Sequence, residues 1–172
     1  SWTYAPAYTR PMSIPQGLIC LLPRFGINVT LAHPPEFKLM PEIMAKARKF
    51  ASQAGTNFRV VHDMDEAFKN ADVVYPKSWG CMQHLADSGV PKDKWKDEGR
   101  RIMEKYTNWI CDSTRMNLAR KHAIYMHPLP ADRGYEVTDE VIDGSQSVIY
   151  DQAENRLHTV KAILALTIGG RP

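Results

Sequence analysis

The chain has 172 residues, 44% of them hydrophobic and 24% charged, with a formal net charge of +3. That length buries a sizeable single core, and no apolar run approaches the roughly 18–20 residues of a membrane span. The mild charge, with bases interleaved among acids, leaves no footprint for nucleic acid, and no signal peptide is visible. Cys20, Cys81 and Cys111 are an odd number without metal-ligand spacing and read as reduced thiols of a cytoplasmic protein. The chain opens on Ser1-Trp-Thr-Tyr4 without methionine and runs straight into structure, the expectation for a piece of a longer protein.

That opening reads as a first strand, followed by a proline-rich loop from Tyr4 to Pro15. Ile14 to Phe25 places Leu18, Ile19, Leu22 and Phe25 on one helical face, with Pro15 in the first turn. Asn28 to Ala32, after Gly26, is a short β-branched run bounded by His33-Pro-Pro35. Pro41 to Ala54 repeats the helical pattern through Ile43, Met44, Ala47, Phe50 and Ala51, and Gly55 supplies a cap. Phe58 to Val61 reads as a strand, Asp63 to Asn70 as a short helix, and Asp72 to Tyr75 as a further strand. Gly80 to Leu118 is a long excursion with a helix over Asp93 to Lys105 and with Trp95 and Trp109; excursions of that length inside a domain are usually functional. Ala123 to Met126 is the next strand, Ser147 to Tyr150 a weaker one, and Ala153 to Ile168 a closing helix. Strands alternating with helices predict right-handed crossovers and an α/β fold, three-layered α/β/α around a mostly parallel, Rossmann-like sheet.

In such sheets ligands bind outside the carboxyl ends of the strands. Two loops stand out there, Pro76-Lys-Ser-Trp-Gly80 and His127-Pro-Leu-Pro130, because polar groups and stiff backbone converge on one rim. The prolines after His33 read as a strand stop. Ser113-Thr-Arg115 looks like a phosphate-binding fragment but lies late in the helical excursion. The histidines show no spacing like H-E-x-x-H, so no metal is expected. No G-x-G-x-x-G follows a strand, and Gly169-Gly170 is a tail.

His127-Pro-Leu-Pro130 at a strand end, followed by Asp151-Gln-Ala-Glu-Asn-Arg-Leu-His158 opening the last helix, resembles the carboxy-terminal half of the aspartate/ornithine carbamoyltransferases. Trp2-Thr-Tyr4, Thr30-Leu-Ala-His-Pro34 and Val73-Val-Tyr-Pro-Lys-Ser-Trp79 are similar to the branch with a knotted second domain, which includes acetylornithine and succinylornithine carbamoyltransferases. The resemblance implies that residues 1–172 are the acceptor-binding domain of a two-domain transferase, without the amino-terminal carbamoyl-phosphate domain and inactive alone. It further implies carbamoyl phosphate and an amine-bearing, amino-acid-like molecule as substrates and a homotrimer built largely through the other domain; no cofactor is expected.

Carried over residue by residue, the resemblance implies His127 and Arg156 as catalytic and Lys77, Ser78, Trp79, Pro128, Leu129 and Pro130 as substrate-binding. Arg156 would donate to the carbamoyl oxygen and the kinked loop would supply carbonyl acceptors, while His127 shapes the loop. The chain departs from the ornithine enzymes at Tyr75-Pro-Lys-Ser-Trp-Gly80, where they carry D-x-x-x-S-M-G, and at Pro128, where they often have cysteine. A lysine neighbourhood in place of an acid favours a carboxylate or a blocked, neutral amide over a free α-ammonium. The branch also implies that the loop Tyr4–Pro15 is threaded by the segment after Trp79, although knots are rare in general. Two other classes remain open on the residues alone: a Rossmann-like cofactor-binding domain and a non-catalytic interaction domain.

Overall fold

Four short parallel strands define the centre of the fold. In the computed structural model, which describes residues 1–7 and 10–169, β1 (Val29–Ala32) pairs with β2 (Phe58–Val61), Val29 opposite Phe58 and Ala32 opposite Val61. A second parallel pair joins β3 (Val73–Val74) to β4 (Ile124–Tyr125). The opening residues knit the two pairs together. The Trp2 amide donates to the Ala32 carbonyl at 2.7 Å, and the Thr3 amide donates to the Lys77 carbonyl at 3.3 Å. On the far side the Tyr125 amide donates to the Gln146 carbonyl at 2.8 Å. Hydrogen bonds therefore run continuously from β2 through β1, residues 1–3, β3 and β4 to residues 146–147. This is the expected α/β architecture with a parallel sheet.

Helices follow the strands for local reasons. In α1 (Ser13–Leu21), Pro15 occupies the first turn, where a missing amide hydrogen leaves no bond unmade. The chain then tightens into a 3-10 turn at Leu22–Phe25, closed by Gly26 at φ 79°. Tightening changes the period from 3.6 to 3, which is why Ile19 is buried while Phe25 is turned outward. The bounds of α2 (Pro41–Ala54) match the periodic pattern, with Ala47 and Ala51 inward and Gly55 ending it at φ 68°. In α3 (Met64–Phe68) the Asp63 carboxylate caps the amide of Glu66 at 2.8 Å.

The long excursion carries three helices, α4 (Met82–Asp87), α5 (Trp95–Met103) and α6 (Ser113–Met116). It returns to the sheet through an aromatic cluster: Trp2 lies 4.1 Å from Phe37 and 5.9 Å from Trp109, centroid to centroid, with Tyr106 at 6.3 Å. Two indole donors brace the rim from beneath, Trp2 Nε1 to the Trp79 carbonyl and Trp79 Nε1 to the Phe37 carbonyl, each at 2.8 Å.

The weak strand expected at Ser147–Tyr150 is replaced. Ser147 makes one parallel bridge to Tyr125, and helix α8 (Ile149–Ile168) begins directly after it, four residues earlier than its apolar pattern starts. The short α7 (Asp139–Ile142) precedes it. On α8, Leu157, Val160, Leu164 and Ile168 form an exposed apolar stripe. No helix among the described residues is long and apolar enough to cross a membrane. Tyr8 and Thr9 of the proline-rich loop, and Gly170 of the tail, lie outside the described residues.

Candidate active site

The carboxyl ends of β3 and β4 lie side by side, so the segments that leave them, Lys77–Gly80 and His127–Pro130, form adjacent walls of one rim. His127 is buried beneath its wall, 1% exposed, and stacks on Tyr125 with centroids 6.4 Å apart. Its Nδ1 lies 2.7 Å from the carbonyl of the next residue, Pro128. Among the described residues no hydrogen bond takes the carbonyls of His127, Leu129 or Pro130. Those three oxygens are available as acceptors, and Leu129 is half exposed on the outer surface of the turn.

Lys77 does not project a free charge. Its ammonium donates at 2.8 Å to Glu136, whose side chain is fully buried. The Ser78 and Trp79 side chains are 0% and 1% exposed, and the Trp79 indole is committed to the Phe37 carbonyl. Within this chain Ser78 and Trp79 therefore shape the wall from behind, and the Ser78 hydroxyl has no partner among the described residues.

Arg156, on α8, is exposed and forms no ion pair or hydrogen bond among the described residues. Its helix is registered to the rim one turn earlier, where Gln152 donates to the Tyr75 hydroxyl at 2.9 Å. Residues four apart share a helix face, so Arg156 lies on the face that Gln152 turns toward β3.

Glu136, Arg10 and Asp132 did not stand out from the sequence, yet they organise the rim. After Pro130 the chain folds back through a turn in which the Glu136 amide donates to the Asp132 carbonyl at 2.8 Å and Gly134 takes φ 76°. Glu136 thereby comes to lie under both walls. Burial alone would raise its carboxyl; the facing His127 ring and Lys77 ammonium outweigh that and hold it well below the usual carboxylate range. Arg10 pairs with Asp132 and accepts the Gly80 amide on its backbone carbonyl at 2.9 Å. Lys77, Arg10 and the His127 ring thus face two acids, Glu136 and Asp132. The available signal was Asp132-Arg-Gly-Tyr-Glu136 itself, a glycine turn returning an acid directly after a kinked loop.

The remaining candidates take structural parts. Arg115 donates to Asp65 and to the carbonyls of Asn108 and Ile110 at 2.8–2.9 Å, clamping the excursion to α3. Burial pushes the Cys81 thiol up to about 11 and the Cys111 thiol up to about 12. His33, buried at the end of β1, repeats the pattern of His127, its Nδ1 lying 2.7 Å from the Pro34 carbonyl. No cluster of three metal-ligating side chains occurs among the described residues. An open groove of about 730 Å³ runs along the sheet between α1 and α3 and reaches the rim at Tyr75, Lys77, Trp79 and Met126.

In a parallel α/β domain, stiff loops at adjacent carboxyl strand ends lie where open sheets of this class bind small molecules. The family described as aspartate/ornithine carbamoyltransferase, Asp/Orn binding domain, matches residues 12–167, and the chain belongs to it. YgeW of Escherichia coli (strain K12), provisionally named as a carbamoyltransferase, is 36% identical over 95% of this chain and 45% of its own length. The ornithine carbamoyltransferase of Methanothermobacter thermautotrophicus is 40% identical over 88% of this chain and 47% of its own length. Among solved structures, an N-acetyl-L-ornithine transcarbamylase mutant complexed with carbamyl phosphate and N-succinyl-L-norvaline superposes with a TM-score of 0.86 at 33% identity, covering 97% of this chain and 48% of that one. The chain spans about half the length of the relatives it matches.

Proposed function

We propose that this chain is the acceptor-binding domain of a carbamoyltransferase, working with an amino-terminal domain that holds carbamoyl phosphate. The observation that carries this is the His127–Pro130 turn, with the carbonyls of His127, Leu129 and Pro130 free at the carboxyl edge of the sheet. The acceptor amine attacks the carbamoyl carbonyl carbon, the bond from that carbon to the phosphate oxygen breaks, and the departing phosphate takes the amine proton. The carbamoyl NH2 and the amine are donors, which the free carbonyls accept. Arg156 donates to the carbamoyl oxygen as it gains charge. His127 keeps the turn in shape, and the wall Lys77, Ser78 and Trp79 together with Pro128 and Leu129 confines the acceptor.

Because Lys77 is already paired with Glu136, a blocked, neutral amide is favoured over a carboxylate at this wall. Plain ornithine and plain aspartate are disfavoured as acceptors. The exposed stripe on α8 supports packing against the amino-terminal domain, through which the whole protein would form a trimer. The bond between Gly80 and Arg10 supports the threading of the proline-rich loop by the segment after Trp79. With half of the site on the other domain, the 172-residue chain alone turns over no substrate, in the cytoplasm or in a cuvette.

The test is phosphate release by the two-domain protein with carbamoyl phosphate and ornithine, acetylornithine, succinylornithine, putrescine or diaminopropionate. One amine is expected to support turnover, and Arg156→Ala to lower it by about 10²–10³-fold, the usual cost of losing one oxyanion donor. No turnover with any amine, and no shift in melting temperature with carbamoyl phosphate, would leave a shared fold without the activity.

A further inference from the structure

The Glu136 carboxylate is the meeting point of two segments that leave different strands. Its Oε1 accepts from the Lys77 ammonium at 2.8 Å and from the Ser78 amide at 2.7 Å. Its Oε2 accepts from the Asp132 amide at 3.0 Å, faces His127 Nε2 at 3.4 Å, and lies 3.8 Å from an Arg10 nitrogen. One oxygen thus serves the wall after β3 and the other serves the wall after β4. The side chain is fully buried, and among the described residues the Lys77 ammonium and the Ser78 and Asp132 amides are the groups that hydrogen-bond it.

A buried ion pair is a weak device for stability, because an apolar pair of similar volume often serves as well or better. It is a strong device for geometry. A planar carboxylate accepts along fixed lone-pair directions, and in a dry site a displaced donor loses its bond outright instead of trading it for water. The bland alternative, an acid that merely neutralises Lys77, does not account for the two backbone amides, one from each wall. Those amides carry no charge to neutralise; what they gain from the carboxylate is a fixed position.

We propose that Glu136 is a positioning residue, which holds the Lys77–Trp79 wall and the His127–Pro130 carbonyls in one register so that the acceptor amine meets a preformed pair of loops. This rests on the carbamoyl-transfer reading of the same rim. A carboxylate that sets register acts on the reacting geometry while touching no substrate, so its removal lowers kcat more than it weakens binding of carbamoyl phosphate.

Two measurements on Glu136→Gln test it. Amide hydrogen exchange in the 172-residue chain reads the clamp without turnover. The Ser78 and Asp132 amides are expected to lose protection together, by about tenfold or more, while the His33 amide, bonded within the sheet to Val61, keeps its own. Retained protection at both, or loss at one alone, overturns the clamp. In the two-domain protein, kcat is expected to fall about a hundredfold, the scale of a 1 Å misplacement, with KM for carbamoyl phosphate little changed. An unchanged kcat with the clamp open overturns the positioning role. If Glu136→Gln does not fold, Glu136→Asp, which keeps the charge but cannot span both walls, replaces it in both measurements with the same outcomes. A wild-type protein silent with every amine, yet showing coupled exchange, removes the transferase reading and the positioning role with it, and leaves a purely structural clamp.

Discussion

Acidification of the chain should weaken it through His33, and by a calculable amount. Burial lowers the His33 imidazole from its ordinary 6.5 to about 4, and the nearby His62, 5.1 Å away ring to ring, pushes the same way. The bond between Nδ1 and the Pro34 carbonyl opposes this but does not prevail. Between pH 6.5 and 4 the unfolded chain therefore binds a proton at His33 that the folded chain does not. Stability rises with pH wherever the unfolded state holds more protons, so it falls as the pH drops through that window. At about 1.4 kcal/mol per pH unit the loss reaches about 3 kcal/mol by pH 4, a large part of a typical domain's stability. The assay is urea unfolding followed by tryptophan fluorescence at pH 7.5 and pH 4, for the wild type and for His33→Gln. Other groups titrate in both proteins and cancel in the difference, so the variant should lose about 3 kcal/mol less than the wild type. Parallel losses would refute the assignment and show that His33 takes up its proton in the folded chain.

Two further outcomes are expected. Of the three thiols, only half-buried Cys20 should react with a disulfide reagent in the native chain, because Cys81 and Cys111 are buried and their thiols are pushed up to about 11 and about 12; three fast equivalents in a titration would contradict the burial. Gly55→Ala should lower unfolding stability by about 1 kcal/mol in urea titration, from the left-handed backbone alone, since an added Cβ meets nothing within 4 Å; a neutral result would mean that α2 does not end there.

The sequence alone determined what is local or repeats with a short period. The alternation of strands and helices, the bounds of α2 with Pro41 at one end and Gly55 at the other, and the stiff turn at His127–Pro130 all follow from side-chain spacing and backbone stereochemistry, which act over a few residues. The family resemblance was legible in the same way, because its motifs are contiguous. What only the tertiary structure decided are the pairings across distance. Lys77 finds Glu136 across 59 positions, Arg10 finds Asp132 across 122, and the Trp2 indole finds the Trp79 carbonyl across 77. A charge carries no record of its partner along the chain, so Lys77 read as a free rim cation although it is neutralised from beneath, and Glu136 read as one acid among nineteen. The start of α8 was misplaced for a related reason: of the strand expected at Ser147–Tyr150 only Ser147 bridges to Tyr125, a long-range contact, and the helix already begins at Ile149.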